Sequence, residues 1–157
     1  MSKFFNPSDA PVAKFAEFFI MKGNRRYSMM NAKNFKATAS IETVDVPFLS
    51  GMIKGKKAVG MEVKLNFTVY KCSEMFDEMV EEFKNTGVMP TIECQVTNED
   101  KATSIGRSTK IYKNCVISGD VLLSMFDAEG ELIEQEIEAF AMDFDRAEKY
   151  ADPAYMW

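Results

Sequence analysis

The side chains that usually activate a nucleophile or bind a transition metal are largely missing from this sequence. Histidine is absent from all 157 residues, which removes Ser-His-Asp and Cys-His nucleophile activation and most zinc, iron and copper sites. Neither a GxGxxG motif nor a Walker loop occurs, so no phosphate cradle is expected. The sequence therefore predicts no enzymatic activity, no metal and no cofactor.

Carboxylates remain as candidates for catalysis, since Asp and Glu supply 24 positions. The close pairs Glu81 with Glu82 and Asp143 with Asp145 have the spacing of solvated faces. A catalytic carboxylate pair needs one partner in an apolar pocket, and no motif surrounds either pair. Catalysis by Asp143 and Asp145 is the weakest of the alternatives that the sequence leaves open.

Three cysteines, Cys72, Cys94 and Cys115, stand far apart and form no CxxC pair. An odd number at wide spacing favours reduced thiols, and we expect them to be small buried hydrophobic residues. The N-terminus lacks the apolar stretch of a signal peptide, and no run approaches the ~18 apolar residues of a membrane span. We therefore expect synthesis in the cytoplasm.

Size and charge limit the possible functions further. A chain of 157 residues with 46% hydrophobic side chains can form one domain with one core. The formal net charge is -5, and the basic residues are spread along the chain, so no basic stripe indicates nucleic-acid binding. Any contact with DNA should be non-adhesive.

Strands are predicted along most of the chain. Residues 15–21 are aromatic-rich and end at the turn pair Gly23-Asn24, which favours a short strand after a short helix or arm; a helix starting at Asp9 is the alternative. Residues 25–45 and 61–71 alternate apolar and polar residues, as half-buried antiparallel strands do. Their polar faces carry Lys36, Thr38, Ser40 and Glu42, and Glu62, Lys64, Asn66 and Thr68.

Residues 46–60 join these two strands by a loop far longer than a hairpin turn requires. The loop is apolar enough to indicate a partner surface, although a flap folded over its own barrel is the alternative. The candidate contact residues are Val46, Pro47, Phe48, Leu49, Ser50, Gly51, Met52, Ile53, Lys54, Lys56, Lys57 and Val59.

A helix is predicted over residues 74–84, with Ser73 as its cap and Gly87 just beyond its end. Its apolar stripe, which includes Met75, Met79 and Phe83, is wide enough to dock on a sheet. Strands follow at residues 91–97 and 111–116, joined by a polar loop over residues 98–110.

A last pair of strands is predicted at residues 119–126 and 132–144, joined by a hairpin at residues 127–130. In the final strand Glu134, Glu136 and Glu138 share one face. The parity of the apolar positions then switches near Ala139, which indicates a bulge or a passage between environments.

These elements predict a mainly β fold with one flanking α-helix, an antiparallel β-sandwich or open barrel. The polar faces of residues 36–42 and 62–68 and of the final strand carry five acidic side chains against two basic ones. The strand edges would be an aggregation hazard in a monomer, so self-assembly is favoured.

The order of elements from Phe15 to about Tyr150 resembles the tail tube proteins of contractile-tailed phages and R-type bacteriocins, in the group typified by the tube subunit of the prophage PBSX. The resemblance includes the strand and turn at residues 16–24, the strand at 33–45, the Gly-Lys-rich loop ending in Lys56-Lys-Ala-Val-Gly, the strand at 61–70, the helix and the ending at 131–145. Residues 1–14 and 151–157 depart from it as an N-terminal arm and a C-terminal tail of one domain, 1–157.

The resemblance implies a structural subunit of the inner tube in a phage tail or bacteriocin particle. Six subunits would close into a ring by joining sheets edge to edge, and rings would stack through the loop at residues 46–59. The acidic strand faces would line a lumen that repels the DNA backbone. The implied partners are further copies of the chain and the sheath, tape measure, baseplate and tail terminator proteins, with transient passage of DNA and no small-molecule ligand.

Other functions remain open at this point. The same fold could serve a tube initiator, a baseplate ring or a tube of the type VI secretion kind. An unrelated ligand-binding β-barrel would need an apolar interior cavity. The helix and the apolar strand faces here are expected to pack on one another instead.

Overall fold

The structure, a computed structural model, describes residues 5–49 and 51–156. This part of the chain forms eight strands and one α-helix, besides short 3-10 turns at Pro7–Asp9 and Ala154–Met156. The elements are β1 Ala16–Lys22, β2 Arg25–Ser28, β3 Ala32–Val46, β4 Gly55–Tyr70, α1 Met75–Thr86, β5 Ile92–Glu99, β6 Arg107–Ser118, β7 Glu134–Ala141 and β8 Asp143–Glu148. The prediction of a mainly β fold with one helix is confirmed.

Every strand pairing is antiparallel, and the strands follow the order β2-β1-β5-β6-β7-β4-β3, with β8 also on β6. β6 connects two layers, because residues 107–112 pair with β5 and residues 109–113 with β8, whereas residues 116–118 pair with β7. Asn114 lies between these two parts with φ 51°, a left-handed conformation that asparagine tolerates well. The first layer is thus β1, β2, β5 and β8, and the second is β3, β4 and β7.

The core lies between the two layers and is built from alternate residues of their strands. Phe67 of β4 is fully buried, and its ring centroid lies 5.2 Å from that of Phe18 in β1 and 5.9 Å from that of Phe35 in β3. Aromatic rings at such separations add to the free energy gained by burying their surface. The other fully buried large side chains are Ile20, Leu65, Val69, Met79, Ile92, Cys94, Cys115 and Ile137.

The N-terminal half of the predicted apolar stripe of helix α1 packs on the core. Met75, Phe76 and Met79 are buried, whereas Phe83 is 50% exposed, so the stripe docks only in part. The helix begins one residue later than expected, and the Ser73 hydroxyl still accepts a hydrogen bond from the Met75 N–H. Gly87 ends the helix in the left-handed conformation that the sequence predicts for its cap.

A nearly buried ion pair fixes the helix to the strands. Lys71 Nζ lies 2.8 Å from Asp77 Oδ1, and the two side chains are 10% and 19% exposed. The same ammonium donates to the backbone carbonyl of Leu122. Since a buried charge is stable only when its hydrogen bonds are satisfied, Lys71 ties α1 and the segment before β7 to the end of β4.

Several predicted boundaries are wrong. The stretch at residues 25–45 is two strands, because the chain turns at residues 29–31, where Met29 is buried. The predicted strand at residues 119–126 has no ladder partner in the described part of the chain and is irregular. The predicted final strand divides at Met142 into β7 and β8, which pair in different layers. The expected passage between environments therefore occurs, three residues later than predicted.

The loop predicted at residues 46–60 is much shorter in the structure. β3 and β4 remain paired out to Val46 opposite Gly55, which leaves residues 47–54 as the connection. On the N-terminal side of Val63, β4 has β3 as its only partner strand among the described residues. Residues 40–62 therefore form a two-stranded ribbon that projects from the second layer. A bulge interrupts its ladder between Glu42 and Thr43, opposite Val59.

The N-terminal arm and the C-terminal tail both pack on the β5–β6 loop of the same subunit. The Asp9 carboxylate accepts hydrogen bonds from the Ser104 N–H and hydroxyl, and Asp100 accepts one from the Val12 N–H. The Phe5 and Tyr155 rings meet edge to face at 5.7 Å. A helix starting at Asp9 is therefore wrong: the short 3-10 turn ends there, and Asp9 binds the loop instead.

Asp9 predicts a pH-dependent stability. The two hydrogen bonds from Ser104 lower the pKa of the Asp9 carboxyl from its ordinary value. The charged carboxylate therefore stabilises the fold at pH values above the ordinary pKa, and this contribution is lost as the pH falls through the lowered pKa. We expect Asp9→Asn to lower the Tm at pH 7, with the gap to the unmodified protein narrowing below about pH 4. Asp152→Asn, at an exposed position of the tail, is the control. A gap that stays constant from pH 7 to pH 3 would contradict the assigned hydrogen bonds.

The ribbon predicts an unusual tolerance of substitution. Leu49 and Met52 are fully exposed, so Leu49→Ser with Met52→Ser should change the free energy of unfolding of the unassembled subunit by no more than about 0.5 kcal/mol. Phe67→Ala in the core should cost about 3–5 kcal/mol. Denaturant unfolding measures both. A large loss from the ribbon pair would mean that the ribbon folds back as a flap on its own subunit.

Candidate functional site

The polar residues predicted to share a surface do so in the second layer. Lys36, Asn66 and Glu138 stand side by side on β3, β4 and β7, and Asn34, Thr68 and Glu136 form the next row. The opposite faces of these strands form the core, so the alternation of β4 fixes both surfaces at once. The residues of this polar face are Lys36, Thr38, Ser40, Glu42, Glu62, Lys64, Asn66, Thr68, Glu134, Glu136 and Glu138.

Ion pairs neutralise part of the charge on the polar face. Lys64 Nζ lies 3.3 Å from Glu138 Oε1, and Lys33 Nζ lies 3.3 Å from Glu134 Oε1. All four side chains are 35–51% exposed, so each pair contributes little to stability. Three acidic side chains of the polar face have no cationic partner within the described residues. They are Glu136 and, at the base of the ribbon, Glu42 and Glu62.

Lys33 is a member of this surface that the alternating pattern misses. A register shift between Ala32 and Asn34 removes it from strict alternation and lets its ammonium reach Glu134. The surface therefore has five acidic and three basic side chains, one base more than the sequence pattern predicts. Only an observed bulge could have shown this, because a bulge reverses the face that a residue occupies.

The apolar residues predicted to form a partner surface lie along the ribbon. Val46 ends β3, while Lys56, Lys57 and Val59 belong to β4, so these four are strand residues and not loop residues. The connection itself holds Pro47, Phe48, Leu49, Gly51, Met52, Ile53 and Lys54, and Ser50 lies outside the described residues.

Phe48 gives the end of the ribbon its shape. Its ring lies over two glycines, so that a Cβ added to Gly51 would approach the ring to 3.2 Å, and one added to Gly55 to 3.4 Å. Gly51 also has φ 108°, where other residues are strained. The two glycines thus let the ring fold against the backbone, while Leu49, Met52 and Ile53 remain in solvent.

Unpaired strand edges border both layers. Within the described residues β3 pairs on one side only, with β4, and β2 pairs on one side only, with β1. Exposed edges present free N–H and C=O groups that invite pairing with another chain. The edge of β3 directly adjoins the polar face, so a neighbouring strand added there would extend that face.

The described residues offer little for catalysis. No cluster of Cys, Asp and Glu there could hold a metal ion. Asp145 pairs with Lys113, and Asp143 binds the Phe144 N–H, so the two carboxylates serve the fold of β8. A cavity of about 820 Å³ opens between β1, β3 and β5 and is lined partly by lysines, unlike an apolar ligand pocket.

The cysteines are free thiols. Cys94 and Cys115 are buried as expected, whereas Cys72 is exposed, so the prediction fails for that residue. A hydrogen bond with Cys115, together with burial, raises the pKa of Cys94 and so lowers its reactivity.

In the part of the chain described here no helix has the length and apolarity to cross a membrane.

Chains of similar fold occur in solved structures of a tube cap, a sheath–tube complex and a particle tail. The chain has a TM-score of 0.62 at 11% identity with a chain from the tube-terminating cap of the anti-feeding prophage, with 87% of this chain and 90% of that chain covered. For the sheath–tube complex of the extracellular contractile injection system PVC the TM-score is 0.58 at 13% identity, covering 88% and 92%. For the tail of an empty gene transfer agent particle, computed with C6 symmetry, it is 0.53 at 13% identity, covering 88% and 100%.

Sequence comparison identifies the family. No curated protein matches the chain. A family model described as phage tail tube protein matches residues 3–148, a range that includes the ribbon, the polar face and both layers. The chain belongs to the phage tail tube protein family.

Proposed function

We propose that this chain is the subunit of the inner tube of a contractile phage tail or tail-like bacteriocin. Six copies close into a ring, rings stack into a tube, and the polar face lines the lumen. The observation that carries this proposal is the polar face of β3, β4 and β7, which is backed by the core and ends at the free edge of β3. The C6 symmetry of the gene transfer agent tail supports six copies.

Ring closure follows from the strand edges. A subunit whose β3 edge pairs with the second layer of its neighbour places successive polar faces side by side around an axis. A ring closed in this way leaves no free β3 edge, which removes that part of the aggregation hazard of the isolated subunit. Such a ring has no need of a catalytic residue, and we propose that the protein is not an enzyme.

The lumen suits the passage of DNA without binding it. The acidic side chains that lack ion-pair partners, Glu42, Glu62 and Glu136, repeat around the ring and repel phosphates at short range. Favourable DNA contacts need lysine or arginine to displace counterions, and on this face two of the three lysines are already paired with glutamates.

The partners of the tube follow from its place in the particle. We propose that the outer surface meets a sheath, that the ends meet a baseplate and a terminator, and that the lumen holds a tape measure protein before DNA. The sheath–tube complex, baseplate and terminator structures that share the fold support the first three. The protein would then reside in the tail of the particle.

A second candidate function is a tube initiator or terminal ring of the same fold. The similarity to chains from the cap and the baseplate of the anti-feeding prophage favours it, with TM-scores of 0.62 and 0.59. A terminal ring would form hexamers that do not extend. Negative-stain microscopy of the purified protein separates the two functions, since only a tube subunit forms filaments of many rings.

The ribbon should be essential for stacking. Replacing residues 47–54 with an Asn-Gly turn closes the hairpin at Val46 and Gly55, which already face each other. We expect a folded subunit that forms no tubes, measured by circular dichroism and by negative-stain microscopy. The Leu49→Ser and Met52→Ser variant, which keeps the ribbon length, should form shorter tubes. Long tubes from the shortened protein would rule out a role of the ribbon between rings.

The polar face should determine how strongly assembled tubes retain DNA. Glu42→Gln, Glu62→Gln and Glu136→Gln together remove the unpaired acids and should leave assembly intact. Variant tubes should retain more short duplex DNA on sedimentation at low salt, and the excess should disappear as salt is raised. Glu74→Gln, Glu81→Gln and Glu82→Gln on and beside α1 form the control. Equal retention by all three kinds of tube would show that another face lines the lumen.

A further inference from the structure

The ribbon and the segment before β7 lie at opposite ends of one strand. β4 begins at Gly55, next to the ribbon connection, and ends at Tyr70, which pairs with Glu134 at the start of β7. Its 16 residues span about 50 Å at ~3.3 Å per residue. Residues 119–133, which lead into β7, therefore lie at the end of the subunit away from the ribbon connection.

Residues 119–133, here called the acidic segment, expose an apolar and negatively charged surface. Its acids are Asp120, Asp127, Glu129 and Glu131, and it contains no lysine or arginine. Its exposed apolar side chains are Leu123, Met125, Phe126, Leu132 and Ile133, with Phe126 at 94%.

The acidic segment is irregular and yet held in place. Lys71 binds the carbonyl of Leu122 through its ammonium and the carbonyl of Ile133 through its backbone N–H. A cleft of about 620 Å³ separates the segment from the first residues of β7. Solvent-exposed apolar groups around such a cleft are typical of a surface that another molecule covers.

The far end of the ribbon has the complementary character. Residues 46–59 contain Lys54, Lys56 and Lys57 and no acidic residue. Lys56 is paired with Asp45 at 3.0 Å in its own subunit, whereas Lys54 and Lys57 bind no carboxylate among the described residues. These two exposed ammonium groups accompany the exposed side chains of Leu49, Met52 and Ile53.

We propose that the end of the ribbon, residues 46–59, docks on the acidic segment of a second copy of this chain. This inference rests on the proposed tube function and names the receptor for the ribbon. Apolar surface would meet apolar surface, and Lys54 and Lys57 would face the segment's carboxylates. Ribbon-to-ribbon pairing is disfavoured because it sets lysine against lysine.

The opposite placement of the two surfaces determines how assembly proceeds. A contact between different surfaces of identical subunits is heterologous, and it propagates without limit when no rotation closes it. Each copy that docks its ribbon on one neighbour leaves its acidic segment free for the next. Stacking is therefore head to tail and polar, with ribbons exposed at one end of the tube and acidic segments at the other.

Charge exchange tests this pairing. One variant carries Lys54→Glu and Lys57→Glu in the ribbon, and a second carries Glu129→Lys and Glu131→Lys in the acidic segment. A control, Glu81→Lys and Glu82→Lys on the exposed side of α1, changes the net charge as much as the second variant does. Circular dichroism confirms folding, and sedimentation with negative-stain microscopy measures tube formation.

We expect that neither charge-exchanged variant stacks alone. The first variant sets acidic side chains at positions 54 and 57 against the acidic segment, and the second sets Lys54 and Lys57 against lysines at positions 129 and 131. An equimolar mixture of the two should restore tubes of alternating copies, since positions 54 and 57 of each ribbon again face side chains of opposite charge at positions 129 and 131. The control should stack like the unmodified protein. Tubes of ordinary length from either variant alone, a mixture that stays unstacked, or a control that also fails would each overturn the pairing. Failure of the unmodified protein to stack would instead contradict the tube function itself.

Discussion

The strict alternation of β4 is the constraint on which the rest of this subunit depends. One strand supplies Leu65 and Phe67 to the core, Lys64 and Asn66 to the polar face, and its first half to the ribbon. Because successive side chains of a strand point to opposite faces, a shift of one residue in its register would exchange core and polar face together. Folding and surface chemistry are therefore selected by the same pairing with β3 and β7. A change in the alternation of β4 would therefore disturb the core and the polar face together.

A pattern of period two predicted most of β3 and the second half of β4, and a pattern of 3.6 residues predicted α1, since these elements bury one face against the core. Aromatic content and a following turn pair predicted β1. The prediction was wrong where partners distant in sequence decide the conformation. Residues 119–126 have the apolar content of a strand, but the carbonyl of Leu122 binds Lys71 and the segment joins no ladder. The single strand expected at residues 132–144 divides because β7 and β8 pair in different layers.

The candidate site was predictable in composition but less so in extent. Alternation identified the eleven residues of the polar face, and strand pairing brings them together on three strands. Alternation did not predict Lys33, because a register shift moves this residue to the polar face. The loop was predicted too long, since β3 and β4 continue to pair through residues that have no partner layer. Gly55, Lys56 and Lys57 look like loop residues in sequence, and only cross-strand hydrogen bonding makes them part of a strand.

The contact between the Phe5 and Tyr155 rings has a practical consequence. Both ends of the described chain lie beside the β5–β6 loop. Peptides or reporter domains fused at either end would leave each subunit from nearly the same point. In an assembly of this chain, fusions at both ends would therefore be grouped in pairs, with one pair for each copy.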